Sequence, residues 1–167
     1  MADAQKDGNS SKVVGVEWLL GRPTLSYFRR MTEVIILSNT LAQVLNPGQS
    51  LVFDNTIIHT GCGAECHRNG SAPVALTKGG IYEIFAKLNV APTEEGTAEV
   101  AVAISGGALP EATMVSTPSA AGDLNTVSCK TAVRPCGPCG ESITVQNVGT
   151  IPINVDANSM LFIKRIA

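Results

Sequence analysis

The run Gly79-Gly-Ile-Tyr-Glu-Ile-Phe-Ala-Lys-Leu-Asn-Val90 decides the fold class of this chain. Two glycines suited to a tight reversal precede ten residues rich in β-branched and aromatic side chains, which predicts a strand over 81–90. Apolar and polar residues alternate only in part here, and the run over 159–166 has the same character. Both runs are therefore predicted to be central strands covered on most of both faces. The additional apolar face indicates an oligomer interface.

Short runs of this kind recur along the chain between clusters of turn residues such as Asn46-Pro-Gly48 and Gly106-Gly107. No helical pattern of convincing length interrupts them. The sequence therefore predicts an all-β sandwich or barrel of about ten antiparallel strands. The predicted strands cover 34–38, 41–45, 50–59, 73–77, 81–90, 97–105, 112–117, 124–133, 141–148, 151–155 and 159–166.

The same residues carry a resemblance to a known superfamily. The stretch Gly79–Phe85, preceded by the short strand Val74–Thr77, resembles the core hairpin of the tumour-necrosis-factor and complement globular-head superfamily. The closing run Ser159–Ile166 fits the ten-strand jelly roll of that superfamily. The resemblance implies a jelly-roll sandwich that assembles as a homotrimer through strand faces near a three-fold axis. The candidate trimer-interface residues are Tyr82, Phe85 and Phe162.

A longer succession of motifs is similar to small jelly-roll proteins encoded in phages and prophages of Gram-positive bacteria. It covers about residues 41–166 and includes Leu45-Asn-Pro-Gly-Gln49, Cys66-His-Arg-Asn-Gly-Ser71 and Cys136-Gly-Pro-Cys-Gly-Glu-Ser142. The phage-like members are similar to virion surface proteins such as head decorations, head fibres or tail-fibre tips. This resemblance implies a structural, non-enzymatic protein of the virion surface, with the major capsid protein or another virion protein as its partner.

Residues 1–32 differ in composition from the predicted jelly-roll domain, residues 33–167. The first twelve residues are polar and predict a disordered tail, whereas Val13–Met31 combines aromatic residues and arginines in a stretch broken by Gly21 and Pro23. Because aromatic residues and Arg dominate interface hot spots, this extended N-terminal arm is predicted either to anchor the domain on the capsid shell or to pack on its own or a neighbouring protomer. The anchor candidates are Trp18, Leu19, Leu20, Arg22, Tyr27, Phe28, Arg29 and Arg30.

Four of the five cysteines form two close pairs, Cys62/Cys66 and Cys136/Cys139, and the second pair reads CGPC. CGPC is the pattern of dithiol oxidoreductases, but that chemistry needs a strand-to-helix junction, and here two β runs flank the motif. The two pairs and His67 contain enough ligands for a tetrahedral zinc site.

Five predicted strands separate the two cysteine loops, and an odd number of antiparallel strands places the loops at opposite ends of a sandwich. We therefore predict no metal and no cofactor, and we expect the thiols to pack or stay free. Two alternatives remain open: local disulfides formed after cell lysis, and three copies of a cysteine loop gathered at a trimer axis. The low-priority metal candidates are Cys62, Cys66, His67, Cys136 and Cys139.

Charge and composition exclude several function classes. The net charge of −2 leaves no basic surplus to neutralise phosphates, so nucleic acid is not an expected partner. No apolar run reaches the ~18 residues of a membrane span, and the N-terminus has no apolar signal segment, so we expect synthesis in the host cytoplasm and no membrane. His59 and His67 are the only imidazoles, and no nucleophile accompanies them in a recognisable arrangement, so no enzyme is predicted.

Two other functions remain possible on the sequence. The first is a receptor- or carbohydrate-binding tip of a tail fibre, with a host-surface glycan as partner, because jelly rolls also act as lectins. The second is a spore-surface jelly-roll head, although such heads usually follow a collagen-like Gly-X-Y stalk, and this sequence contains none.

Overall fold

The computed structural model describes residues 33–61, 63–135 and 140–167, and these contain no helix. Every strand pairing is antiparallel, which confirms the predicted all-β class. No helix able to span a membrane occurs among these residues. The strands are β1 (Val34–Ser38), β2 (Gln43–Leu45), β3 (Asn55–Thr60), β4 (Glu65–His67), β5 (Val74–Leu76), β6 (Tyr82–Pro92), β7 (Ala98–Ile104), β8 (Gly107–Ser116), β9 (Asn125–Val133), β10 (Glu141–Asn147), β11 (Ile153–Val155) and β12 (Met160–Arg165).

The strands form two sheets that face each other. The seven-stranded sheet has the order β2-β11-β6-β12-β1-β3, with β9 on the other edge of β6, and the five-stranded sheet has the order β4-β5-β10-β7-β8. Strand β6 pairs with β9 along one edge and with β12 and then β11 along the other. The run that decided the fold class is therefore a central strand, as its composition predicts.

The hydrophobic core lies between the two sheets. Along β6 the side chains alternate, so that Tyr82, Ile84 and Leu88 are fully buried while Glu83 and Phe85 point to the other face. This alternation follows from the two-residue period of a strand. Burial of a large apolar side chain contributes about 1.5–3 kcal/mol, so the inward rows account for most of the favourable energy of folding. Further fully buried residues include Leu37, Val100, Val102, Ile143, Val145, Leu161 and Ile163.

Three strand predictions need correction. Residues 50–54 are not part of β3, because they make only the isolated bridges Ser50–Gln146 and Phe53–Ser71. Strand β4 was not predicted, because three residues paired only with β5 are too short to give a periodic signal. Strand β8 begins at Gly107 rather than at 112, since an edge strand of the sheet tolerates Pro110.

A buried asparagine fixes the loops at one end of the sandwich. Asn147 at the end of β10 is fully buried, and its side-chain Nδ2 donates to the carbonyl oxygens of Leu45 at 2.9 Å and Ile151 at 2.8 Å. Its Oδ1 accepts from the amide of Gly149 at 2.9 Å. One side chain thus satisfies three backbone groups that would otherwise be left unpaired in a dry environment.

Candidate functional site

The outer face of the seven-stranded sheet, which points away from the five-stranded sheet, carries a row of large apolar side chains. Phe85 on β6 lies directly opposite Phe162 on β12, Phe162 lies opposite Ile36 on β1, and Ile36 lies opposite Ile58 on β3. Directly opposed residues of antiparallel strands point to the same face. The four side chains therefore form one continuous stripe across four strands, called the apolar row below.

The apolar row is accessible in the single protomer. Ile36, Phe85 and Phe162 are half-buried, and Ile58 is 42% exposed. Met160, one row along β12, adds to the same surface. Contiguous apolar patches of this kind on a protein surface mark interaction sites. The residues lining the shallow groove at the centre of the face are Ile36, Glu83, Phe85, Lys130, Met160 and Phe162.

Charged groups border the apolar row. Lys130 on β9 lies opposite Phe85 and forms an ion pair with Glu83. The hydrogen bond from Lys130 lowers the pKa of Glu83, with smaller contributions from the charges of Lys130 and Lys164. An apolar centre with a charged, solvated border is the usual anatomy of a protein interface.

Two of the three predicted interface residues lie on this face and one does not. Phe85 and Phe162 are in the apolar row, whereas Tyr82 is fully buried between the sheets and its hydroxyl donates to the carbonyl oxygen of Lys78 at 2.7 Å. Placing Tyr82 at an interface was wrong, because residues three apart on a strand point to opposite faces, and the hydroxyl already has an internal partner. Ile36, Ile58 and Met160 were not predicted.

The predicted anchor and most of the cysteine candidates fall outside the described residues. The anchor candidates are Trp18, Leu19, Leu20, Arg22, Tyr27, Phe28, Arg29 and Arg30, and all of them lie within 1–32. The cysteine candidates outside the described ranges are Cys62, Cys136 and Cys139.

The described cysteine-loop residues do not form a metal site. Cys66 is an exposed residue of β4, and the two ring nitrogens of His67 lie 3.2 Å from the carbonyl oxygen of Pro73 and 3.1 Å from that of Phe53. Both ring nitrogens thus face carbonyl oxygens, and the tautomer decides which of them donates. Within 33–61, 63–135 and 140–167, no group of three His, Cys, Asp or Glu side chains could hold a metal ion.

The predicted separation of the two cysteine loops was wrong. Strand β4 adds a sixth strand between them, and an even number of antiparallel strands returns the chain to the same end of the sandwich. Glu65 pairs with Leu76, and Leu76 pairs with Glu141, so the described residues next to both loops share one end. The amide of Thr77 also donates to Ala64 at 2.8 Å.

No protein-family model matches this chain, and no curated protein matches it significantly. Solved structures do match. The structure of Eiger TNF from S. frugiperda has a TM-score of 0.66 at 10% identity, covering 83% of this chain and 94% of that one. The fold is a jelly roll of the tumour-necrosis-factor and C1q type.

Two further structures agree with this jelly roll. The globular domain of zebrafish complement 1qA has a TM-score of 0.59 at 9% identity and covers 80% of this chain and 96% of its own. Murine APRIL at pH 5.0 has a TM-score of 0.55 at 17% identity, with 81% of this chain and 99% of its own covered. The predicted jelly-roll architecture is therefore confirmed, and at these identities the likeness concerns the fold.

Proposed function

We propose that this chain is a structural, non-enzymatic protein of a virion surface that assembles as a homotrimer and decorates the capsid through its N-terminal arm. The observation that supports assembly into a trimer is the apolar row on the outer face of the seven-stranded sheet. Phe85, Phe162, Ile36 and Ile58 leave a large apolar stripe in contact with water, and covering it with copies of the same chain removes that contact.

The borders of the apolar row support a contact between copies of one chain. Glu83 and Lys130 provide both signs of charge beside Phe85, so each copy presents an acidic and a basic group to its neighbour. A cyclic assembly repeats the same contact around its axis and closes without an unpaired face. The resemblance of the Gly79–Phe85 hairpin to a trimeric superfamily favours three copies.

The position of the arm in the proposed trimer supports the proposal of capsid decoration. Residues 1–32 join the sandwich at Glu33, immediately before β1. Around a three-fold axis all three arms join at the same height, so three anchor segments can bind symmetric or quasi-symmetric capsid sites together. Such simultaneous binding raises the residence time well above that of one arm if the geometry permits. A ligand that binds only the assembled shell also stabilises the shell.

The test uses purified shells and three forms of the protein. The full chain is expected to bind shells as a trimer. A chain starting at Glu33 and a full-length Trp18→Ala/Phe28→Ala double variant are expected to remain trimeric but to lose shell binding, measured by co-sedimentation. If the shortened chain binds shells as well as the full chain, the anchoring role of the arm is lost. Cryo-electron microscopy of intact particles then locates the trimer on the shell or at the tail.

A second candidate function is a receptor- or carbohydrate-binding tip. A polar pocket lies between β8 and β9, at the end of the sandwich opposite Glu33, where Ser119 Oγ donates to Asp123 Oδ2 at 2.9 Å. Hydroxyl and carboxylate groups that converge in a pocket are suited to the hydroxyl groups of sugars. Binding to a glycan array that is lost in the Asp123→Ala variant would favour this function. If the full chain binds no glycan on the array, this function is contradicted. The pocket residues are Ser116, Thr117, Pro118, Ser119, Asp123, Leu124 and Asn125.

A further inference from the structure

Glu65 is a buried acid that has no hydrogen-bond partner among the residues the structure describes. It is the first residue of β4, its side chain is 0% exposed, and neither carboxyl oxygen accepts a hydrogen bond of normal geometry from residues 33–61, 63–135 or 140–167. Its backbone carbonyl, in contrast, lies 3.0 Å from Nε2 of His59. A buried carboxylate that lacks hydrogen bonds and a counter-ion is strongly unfavourable, whereas the neutral acid is tolerated.

A second acid at the same end of the sandwich has the partners that Glu65 lacks. Glu33 is 7% exposed, and its carboxylate accepts from Lys78 Nζ at 2.8 Å and from Arg165 Nη1 at 3.1 Å. The backbone carbonyl of Glu33 accepts the amide of Arg165 at 3.0 Å. Arg165 also donates from Nε and Nη2 to Gly79. Lys78 and Arg165 are therefore both paired with Glu33.

The electrostatic surroundings of Glu65 act in the same direction as its burial. Burial raises the pKa of Glu65, and the negative charge of Glu33 raises it further. His59 and the amide dipoles of Glu65 and Arg165 oppose this change more weakly. Tyr82 lies beside the same cluster, and its pKa is raised by burial and by the charges of Glu65 and Glu33. The groups that face Glu65 thus come from β3, β6, β12 and the segments flanking β1 and β5.

We propose that Glu65 holds a proton in the folded protein, and that loss of this proton weakens the ion pairs that fix Glu33, the residue through which residues 1–32 join β1. An ionised Glu65 would repel the Glu33 carboxylate and compete with it for Arg165 and Lys78. The end of the sandwich from which the arm departs would then loosen. This inference stands on the geometry of the cluster and is independent of the proposed function.

The sign of the pH dependence follows from the raised pKa. The unfolded chain releases this proton near the ordinary value of 4.5, whereas the folded protein retains it to higher pH. The contribution of Glu65 to stability is complete below the unfolded value and declines as the pH rises through the folded value. In that window the unfolding equilibrium constant increases up to about tenfold per pH unit because of this one group.

The direct test is a ¹³C NMR titration of the Glu side-chain carboxyl carbons in the full chain, with the Glu65 signal assigned by its absence in Glu65→Gln. The signal is expected to titrate above the ordinary range of glutamate. Urea unfolding from about pH 5 to about pH 9 provides the second readout. Glu65→Gln is expected to remove the pH-dependent rise of the unfolding constant, whereas Glu111→Gln, at an exposed position of β8, is expected to keep it. Titration of Glu65 at or below its ordinary value, or an unchanged slope in Glu65→Gln, would overturn the proposal.

A second variant tests the electrostatic coupling between Glu65 and Glu33. Glu33→Gln removes the opposing charge and leaves Lys78 and Arg165 available to Glu65, so the Glu65 titration midpoint is expected to move toward lower pH. A midpoint that does not move would overturn the coupling to the arm even if Glu65 proves to be a neutral acid.

Discussion

Phe85 and Phe162 lie directly opposite each other on adjacent strands, and both project from the outer face of the seven-stranded sheet. Their rings are only half-buried in one protomer, so their substitution should leave the sandwich folded. A Phe85→Ser/Phe162→Ser double variant is expected to convert the proposed trimer to folded monomers. Interface hot spots contribute about 2 kcal/mol or more each, so the loss of both side chains is expected to raise the dissociation constant by more than about 100-fold. Sedimentation velocity measures the mass, and circular dichroism confirms the fold.

The matched control for this pair is Val115→Ser. Val115 is 56% exposed on β8 of the other sheet, outside the apolar row. The Val115→Ser protein is expected to assemble like the wild type. If the double variant and the control assemble equally well, the hypothesis that the outer face is the interface is wrong.

Asn147→Ala is expected to destabilise the sandwich through its loops rather than its core. The substitution removes the hydrogen bonds to Leu45, Ile151 and Gly149 and leaves buried backbone groups without partners. A fully buried unpaired group costs about 1–3 kcal/mol, and the contacts with Ile151 and Gly149 are only partly buried, so a total loss of about 2–4 kcal/mol is expected in urea unfolding at fixed protein concentration. Asn154→Ala, at a half-exposed position of β11, is the control and should change stability by less than about 0.5 kcal/mol.

Gly80→Ala tests a close backbone contact. Gly80 has φ +144°, and a Cβ there would overlap the carbonyl oxygen of Ala167, which accepts the amide of Ile81 at 2.9 Å. The contact must open, so Gly80→Ala is expected to cost at least about 1 kcal/mol more than Gly106→Ala. At Gly106 (φ +85°) a Cβ meets nothing within 4 Å, and only backbone strain of about 1–2 kcal/mol is expected. Equal losses of stability would contradict the contact.

The thiols of Cys66 and Cys129 are expected to react at different rates. Cys66 is exposed on β4, whereas Cys129 on β9 packs against the core and burial raises the pKa of its thiol. Because the thiolate is the nucleophile, the raised pKa lowers the reactive fraction of Cys129 at pH 8. Timed alkylation followed by peptide mass spectrometry should find Cys66 modified well before Cys129. Simultaneous modification would indicate that the core does not cover the thiol of Cys129.

The sequence could predict the strands because their signals are local. The partial alternation in Tyr82–Pro92 and the turn residues around it are sufficient to define β6. The alternation of side chains along that strand also places Tyr82 and Phe85 on opposite faces. This signal could have excluded Tyr82 from the interface. The three-residue β4 has no such signal, and overlooking it reversed the predicted relation between the two cysteine loops.

Only Phe85 and Phe162 of the apolar row could be predicted, and the acid cluster could not be predicted at all, because both sites depend on register between distant segments. Ile36 meets Phe162 only because β1 pairs with β12, more than a hundred residues later. Glu33, Lys78 and Arg165 likewise converge from three separate parts of the chain. A charged residue such as Glu65 in a short strand would ordinarily be assigned to the solvent.

The placement of β12 between β6 and β1 has a consequence for synthesis on the ribosome. The middle of the seven-stranded sheet is filled by the last strand of the sandwich, so until it emerges β1 and β6 each carry an open edge rich in Ile and Phe. The pairings of β1 and β6 with β12 must wait for this late insertion, which slows the last step of folding and exposes the intermediate to pairing with other nascent chains. We therefore expect the yield of folded protein to depend on chaperones that shield these edges during translation.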